Sequence, residues 1–150
     1  MTLPSTIIGA FVLVAEKVLV EADGVPSIIR ISDIFYFQPR SDPPLESQAI
    51  FMYVVASVRF KETEPSEHVL QLQLVRPSGE TKPIGDPHQL KSEPKVTGIV
   101  GMPSGFNFIS AVGIIPKELG VHYIVLSMDG EEIARTPITL ATRSDSPKSE

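Results

Sequence analysis

Three histidines are the side chains best suited to catalysis or metal binding, and their spacing along the chain indicates neither. His68, His88 and His122 lie 20 and 34 positions apart, and none belongs to a His-x-His, His-x3-His or His-Glu-x-x-His motif. The chain has no cysteine, which removes thiolate ligands, cysteine nucleophiles and disulfides together. We therefore predict surface histidines and no metal site, and an enzyme would need one histidine to meet a carboxylate in the fold.

Two further positions could carry chemistry, a serine near two glycines and an aspartate inside an apolar strand. Ser104 follows Gly101 by three positions, so the segment is not the Gly-x-Ser-x-Gly elbow of a serine hydrolase, and we expect a turn there. Asp33 interrupts an apolar face, and a buried carboxylate needs partners. Arg30 and Arg59 are the candidate partners. Such a pair could form a site or a structural ion pair, and we favour the ion pair.

Composition and charge exclude further classes of function. The 150 residues include 13 Lys and Arg against 18 Asp and Glu, a net charge of −5, without a run of three basic residues. A nucleic-acid-binding protein usually carries a clustered basic excess, so we predict no nucleic-acid partner. No glycine-rich phosphate loop occurs. The prediction is therefore a chain without catalytic residues or cofactors, not an enzyme.

The apolar segment 7–15 near the N-terminus is predicted to be a buried strand. Its nine residues are too few to span a membrane. The length also suits the core of a signal peptide, but no positive charge precedes the segment and no small-residue cleavage site follows it. The absence of cysteine fits a reducing compartment. Together these features are compatible with a reducing cytosol and predict a protein that does not contact a membrane.

Alternation of apolar and polar residues predicts β-strands along most of the chain. The clearest strand is 50–60, where every second residue from Ile50 to Phe60 is apolar. Similar patterns predict strands at 8–14, 18–20, 28–37, 69–76, 106–115, 122–128 and 132–141. Pro137 suggests that the last strand lies at a sheet edge. The proline-containing stretches 38–47 and 81–93 are predicted to be loops, and 116–119 a single helical turn.

These elements predict an all-β fold, an antiparallel β-sandwich of about eight or nine strands with little helix. A single domain is expected over 1–142, followed by a short polar tail at 143–150. Asp129 and Gly130 are predicted to close a tight hairpin between the last two strands. Gly120 and Tyr123 resemble the opening of a strand at a tyrosine corner, where the phenol bonds back to the backbone. That resemblance favours an immunoglobulin-like sandwich.

Several of these strands and turns also resemble a known family of small bacterial proteins of unknown function. The resemblance rests on the segment 66–80, on Gly120 and Tyr123 opening a later strand, and on the turn formed by Asp129, Gly130 and Glu131. It covers roughly 8–142, while 38–47 and 81–93 depart from it. The resemblance implies an immunoglobulin-like β-sandwich, a cytoplasmic location and no known activity, and it brings no catalytic residue.

Apolar residues in excess of one core face predict an interaction surface. Phe51, Tyr53 and Val55 lie opposite the fully apolar face of the strand 50–60, and 106–115 has no clearly polar face. A two-layer sandwich needs only one apolar face on each strand, so the surplus needs a cover. We predict a protein-interaction or structural module that binds a protein partner or a second copy of itself, with a two-fold dimer as the commonest arrangement. The alternative is a sandwich that binds a small ligand or a carbohydrate.

Overall fold

Nine β-strands and no α-helix are formed by the residues that the structure describes. The computed structural model describes residues 6–37, 47–61, 66–92, 104–115 and 117–142, of which 79% are in strands. These segments are rich in β-branched and aromatic residues, which pack well on a pleated surface. The strands are β1 Ile7–Val20, β2 Pro26–Ile31, β3 Ile34–Phe37, β4 Ile50–Phe60, β5 Ser66–Val75, β6 Thr81–Ser92, β7 Ser104–Ile114, β8 Gly120–Met128 and β9 Glu131–Thr142.

The strands form two sheets that face each other. One has four strands in the order β2-β1-β4-β7, and the other has five in the order β3-β9-β8-β5-β6. All neighbouring pairs are antiparallel except β3 and β9, which run parallel. A parallel pair needs a long connection, and β3 is far from β9 along the chain. The predicted all-β sandwich is confirmed, with the difference that one of its sheets is mixed.

The core lies between the inner faces of the two sheets, where alternate side chains of each strand meet. In β4 the inner side chains include Met52, Val54 and Phe60, all buried. They pack in one cluster with buried residues of the five-stranded sheet such as Ile124 and Ile138. The period of two that predicted β4 therefore also determines which of its side chains point into the core.

The predicted strand 28–37 is in fact two strands that belong to different sheets. β2 ends before Ser32 and β3 begins after Asp33, so these two residues form a corner where the chain passes from one sheet to the other. The Thr139 N–H donates to the Asp33 carbonyl at 2.6 Å and holds this corner against β9. The Asp33 side chain is exposed there. Its polar character marks the end of a strand and does not interrupt a buried face.

The segment 81–93 was predicted to be a loop, and this is wrong because 81–92 form β6, while position 93 lies outside the described residues. Among the described strands β6 pairs only with β5 and therefore lies at an edge of its sheet. An edge strand tolerates proline because one side of its backbone needs no partner. Pro83 lies within the pairing, and Pro87 falls in a bulge at 85–87, where Gly85 has a φ of 68°. The prolines and the bulge hid the alternation that would have revealed the strand.

Two smaller expectations also change. β9 lies between β3 and β8 rather than at an edge, but β3 pairs only with 139–142, which leaves Pro137 outside that pairing. The helical turn at 116–119 is wrong for its described part, because Lys117 has a left-handed φ of 61° that a right-handed helix excludes. Pro116, residues 38–46 of the predicted loop and the tail at 143–150 lie outside the described residues.

Replacing Ile124 by alanine is expected to lower the free energy of unfolding by about 2–5 kcal/mol, because Ile124 is fully buried in the central strand β8. Val121→Ala on the same strand is the matched control. Val121 is substantially exposed, so its truncation should cost less than about 1 kcal/mol. Urea denaturation measures both values, and equal losses for the two variants would contradict this placement of the core.

Candidate functional site

The turn between β8 and β9 places an aspartate within hydrogen-bonding distance of the neighbouring strand β5. Asp129 and Gly130 have φ values of 53° and 86°, and two positive values are what a tight hairpin turn requires to match the twist of its strands. The Asp129 N–H donates to the Val69 carbonyl at 2.9 Å, and the Val69 N–H donates to Asp129 Oδ1 at 2.8 Å. The turn is thus attached to β5 by one backbone and one side-chain hydrogen bond.

Ser66 and His68 extend this contact along β5. They lie two positions apart on the strand and therefore on the same side of it. His68 Nδ1 lies 2.7 Å from Asp129 Oδ2, and His68 Nε2 lies 3.0 Å from Ser66 Oγ. The imidazole also stacks on the Phe60 ring, with the centroids 5.3 Å apart and the planes 7° apart. Together, Ser66, His68 and Asp129 form the polar cluster.

Hydrogen bonds keep the carboxylate of the polar cluster ionised. Burial alone would raise the pKa of the Asp129 carboxyl, but the hydrogen bonds from His68 and from the Val69 N–H outweigh burial and lower this pKa below its ordinary value. A carboxylate can only accept, so the hydrogen of the His68 contact is carried by Nδ1. In a neutral imidazole Nε2 is then the acceptor, and the Ser66 hydroxyl donates to it.

The three histidines have different surroundings. The His68 side chain is only 12% exposed and meets Asp129, which lies 61 positions away in the sequence. His122 is fully buried, with Nδ1 3.2 Å from a backbone carbonyl and Nε2 without a partner among the described residues. His88 is exposed and meets the Phe108 ring edge-on. The prediction of surface histidines is therefore wrong for His68 and His122, whose burial results from strand pairing that no local motif signals.

Neither arginine proposed as a partner of Asp33 contacts it. Arg30 Nη1 lies 3.3 Å from Glu16 Oε2. Both terminal nitrogens of Arg59 donate to Asn107 Oδ1 at 3.1 Å. Asp33 is exposed at its corner, so no burial of its charge demands a counter-ion. The hypothesis of a buried ion pair or site at Asp33 is wrong for this reason.

Gly120 and Tyr123, predicted to open the penultimate strand, lie at the start of β8. Gly120 has a φ of 115°, and a Cβ at this position would lie 3.2 Å from the Pro77 ring. The Tyr123 ring lies under the Arg135 guanidinium, whose carbon is 5.2 Å from the ring centroid. The Tyr123 hydroxyl forms no hydrogen bond with the described residues, so the tyrosine corner and the immunoglobulin-like topology stay predictions. Ser104 begins β7, and 101–103 of the turn expected there lie outside the described residues.

The residues predicted as an interface share the outer face of the four-stranded sheet, which points away from the core. Phe51 is 80% exposed, Tyr53 is half-buried and Val55 is only 4% exposed. Val55 stands between Leu13 on β1 and Ile109 on β7. Phe51 is therefore the most accessible of the three, while Val55 is buried within the face itself.

A depression of about 420 Å³ lies beside Phe51. Two small residues of β7 line it: Ala111, which stands opposite Tyr53, and Gly113, over which the Phe51 ring lies. Glu16 of β1 also lines the depression. The outer face therefore presents two aromatic rings next to a hollow.

Within the described parts of the chain, no three His, Asp or Glu side chains come close enough together to hold a metal ion. No helix there is long and apolar enough to cross a membrane.

The fold and these two sites define an all-β sandwich with a polar cluster on one sheet and an exposed apolar face on the other. The chain belongs to DUF6941, a family of unknown function whose model matches residues 12–141. The resemblance to a family of unknown function seen in the sequence is thereby confirmed. No curated protein matches the chain.

Several solved structures are similar to the chain at low identity. A β-glucuronidase from glycoside hydrolase family 2 is 12% identical with a TM-score of 0.46, over 91% of this chain and 11% of its own. A family 2 glycosyl hydrolase from Bacteroides cellulosilyticus is 12% identical with a TM-score of 0.44, over 65% and 13%. The DNA-bound alkylpurine DNA glycosylase AlkC of Pseudomonas fluorescens is 9% identical with a TM-score of 0.42, over 87% and 30%. The chain spans less than a third of each, and similarity this weak carries no argument about function.

Replacing Asp129 by asparagine is expected to lower the free energy of unfolding at about pH 5, because an amide oxygen is a weaker acceptor than a carboxylate. The pKa of Asp129 is lowered in the folded chain. Its stabilising contribution is therefore present above the unfolded value of about 3.9 and is lost as the pH falls through the lowered value. Urea unfolding at about pH 5 and about pH 2 should show a difference between wild type and variant that shrinks on acidification.

Asp33→Asn is the matched control, because Asp33 is exposed and has no ion pair among the described residues. Its substitution should leave the free energy of unfolding within about 0.5 kcal/mol at either pH. A difference between wild type and Asp129→Asn that stays constant or grows towards acid would contradict the assigned ionisation of Asp129.

Proposed function

We propose that the chain is a protein-interaction module that pairs with a second copy of itself through the outer face of the four-stranded sheet. The observation that carries this proposal is the phenyl ring of Phe51, which is 80% exposed on β4, an interior strand of its sheet. Full burial of such a side chain is worth about 1.5–3 kcal/mol. Single exposed apolar residues are ordinary, but Phe51 belongs to a contiguous group, and contiguous apolar patches are typical of interaction sites.

The apolar group extends across all four strands of the sheet. One row of neighbours runs from Ile31 on β2 through Ala15 on β1 and Tyr53 on β4 to Ala111 on β7. Ile31 at the end of this row is 68% exposed. No member of the row is charged, so a partner could cover it without having to neutralise a buried charge.

Polar side chains bound this apolar area at one end. Ser57 Oγ donates to Asn107 Oδ1 at 2.9 Å, and Arg59 donates to the same oxygen. These residues lie on β4 and β7, beyond Val55 and Ile109 in the direction away from Phe51. An apolar centre with a polar margin is the usual composition of a protein interface.

The shape of the outer face supports a second copy of the chain as the partner. The Phe51 ring lies over Gly113 of β7 and is 80% exposed, and the depression of about 420 Å³ lies beside it. A two-fold axis places the same surface on both sides of a contact, so the Phe51 ring of each copy can enter the depression of the other. Glu16, which lines the depression, already pairs with Arg30 of its own chain. This supports self-association over a partner of complementary charge.

Replacing Phe51 by serine is expected to convert a dimer into a monomer. A two-fold interface loses two phenyl rings at once, so the dissociation constant should rise by at least about a hundredfold. Size-exclusion chromatography with light scattering over a dilution series measures this change. Ala111→Arg, which fills the hollow and leaves Phe51 in place, should have the same effect.

Val121→Ser is the matched control, because Val121 is an exposed apolar residue of the other sheet. It should leave the dimer unchanged. A wild-type chain that stays monomeric at the highest concentration reached, or a Phe51→Ser variant as dimeric as wild type, would overturn the proposed self-association.

A second candidate function is the binding of a small ligand, such as a carbohydrate, in the same depression. Its lining favours this alternative, since Phe51 and Tyr53 offer apolar ring faces and Glu16 offers an acceptor for hydroxyl groups. Its volume of about 420 Å³ is also within the ordinary range of ligand pockets.

Titration with a panel of neutral mono- and disaccharides tests the second candidate, with NMR following the backbone amides of 51–53 and 111–113. Saturable shifts that are lost in Phe51→Ser and weakened in Glu16→Gln would support carbohydrate binding. If no sugar of the panel moves these amides, while Phe51→Ser still dissociates the dimer, the face serves self-association.

A further inference from the structure

The polar cluster joins a serine, a histidine and an aspartate in a row through two hydrogen bonds, at 3.0 Å and 2.7 Å. We propose that Ser66 is a nucleophile that accepts an acyl group from carboxylic esters, with His68 as its general base and Asp129 as a positioning residue. This goes beyond the proposed self-association and departs from the expectation of a chain without catalytic residues. The polar cluster and the outer face lie on different sheets, so each proposal can fail without the other.

The atoms of the imidazole face the partners that this role requires. Asp129 accepts from Nδ1, so in a neutral imidazole Nε2 carries the lone pair and accepts from the Ser66 hydroxyl. A serine hydroxyl is a weak nucleophile by itself and is activated when an adjacent base can take its proton. Recognition of such an arrangement rests on this geometry and not on the order of the residues in the chain.

Several contacts hold the side chains of the polar cluster in place. Asp129 Oδ1 accepts from the Val69 N–H, so the carboxylate is oriented independently of the histidine. The His68 ring stacks on Phe60, and this contact limits rotation of the imidazole away from Ser66 and Asp129. Ser66 and His68 share one side of a single strand, so their separation is determined by the backbone. Preorganised side chains on regular elements are what a reactive constellation needs.

Two other serines of the chain provide an internal comparison. Ser27 Oγ donates to Glu21 Oε1 and Ser78 Oγ donates to Glu118 Oε1, each at 2.7 Å. In both, the hydroxyl bonds a carboxylate directly. A carboxylate has an ordinary pKa of about 4.3 against about 6.5 for imidazole, so it is the weaker base. Reactivity that depends on the histidine should therefore appear at Ser66 and not at Ser27 or Ser78.

The reaction follows from these positions. Ser66 Oγ attacks the ester carbonyl carbon, and its proton passes to His68 Nε2. The bond between the carbonyl carbon and the alkoxy oxygen of the ester then breaks, and the leaving alkoxy oxygen takes the proton from His68 and departs as an alcohol, so that Ser66 carries the acyl group. Attack of water on this acyl-serine, with His68 again taking and returning a proton, releases a carboxylic acid and restores the serine. Ester and water supply all the atoms, and no oxidant or reductant is needed.

A fluorophosphonate probe tests the nucleophile, because its P–F bond is replaced by a bond to an activated serine oxygen. Peptide mass spectrometry of the labelled full chain should find the probe on Ser66, with labelling of Ser27 and Ser78 slower by at least about a hundredfold. His68→Gln should slow labelling of Ser66 by about a hundredfold or more. p-Nitrophenyl acetate should release p-nitrophenol in wild type, and Ser66→Ala should abolish that release above the uncatalysed rate.

The positioning role of Asp129 is tested by removing its carboxylate and then restoring one. Asp129→Asn should slow labelling at Ser66 by at least about tenfold, and Asp129→Glu, which restores a carboxylate, should recover part of the rate. A purely structural role would give rates that follow the stability of each variant, which circular dichroism reports. The proposal is overturned if Ser66 is unlabelled in wild type, if Ser27 or Ser78 reacts as fast, or if Ser66 in a folded His68→Gln chain reacts as fast as in wild type. Comparison of the three serines needs only the wild-type chain, so it decides the question even where a variant does not fold.

Discussion

The alternation of side chains along β4 is the constraint on which the rest of the structure depends. β4 lies between β1 and β7, and its inner residues, from Met52 to Phe60, sit in the middle of the core. A shift of its register by one residue would exchange the two faces of the strand. It would bring Phe51 inside and expose Phe60. Burial of the inner face therefore also determines which residues are left on the outer face.

The outer face and the polar cluster originate in different kinds of interaction. The outer face is a consequence of β4 and its neighbours carrying apolar residues on both sides, more than a two-layer core can cover. The polar cluster is a consequence of one turn. Asp129 adopts a positive φ in a tight hairpin, and this conformation lets its side chain and its N–H both reach Val69. Because Val69 lies next to His68, the same aspartate also contacts the imidazole.

Departures from the sequence-based expectations share a physical cause. Prolines in 81–93 indicated a loop, yet an edge strand with a bulge accommodates them. Asp33 appeared to interrupt a buried face, yet it lies at an exposed corner between two sheets. In each case the local residues were interpreted without knowing which side of the backbone has a neighbour. That knowledge requires the order of the strands, which the sequence pattern does not contain.

Local sequence patterns correctly predicted the all-β class, the bounds of β4, the tight turn at Asp129 and Gly130, and the common face of Phe51, Tyr53 and Val55. These properties depend on a residue and its near neighbours, because side-chain alternation and turn conformation are local. Three other features depend on the folded chain: His122 is buried, Val55 is enclosed while Phe51 is exposed, and His68 meets Asp129 across 61 positions. Such contacts arise from the pairing of β5 with β8 and of β4 with β1 and β7, and pairing between distant segments is set by the packing of the whole core.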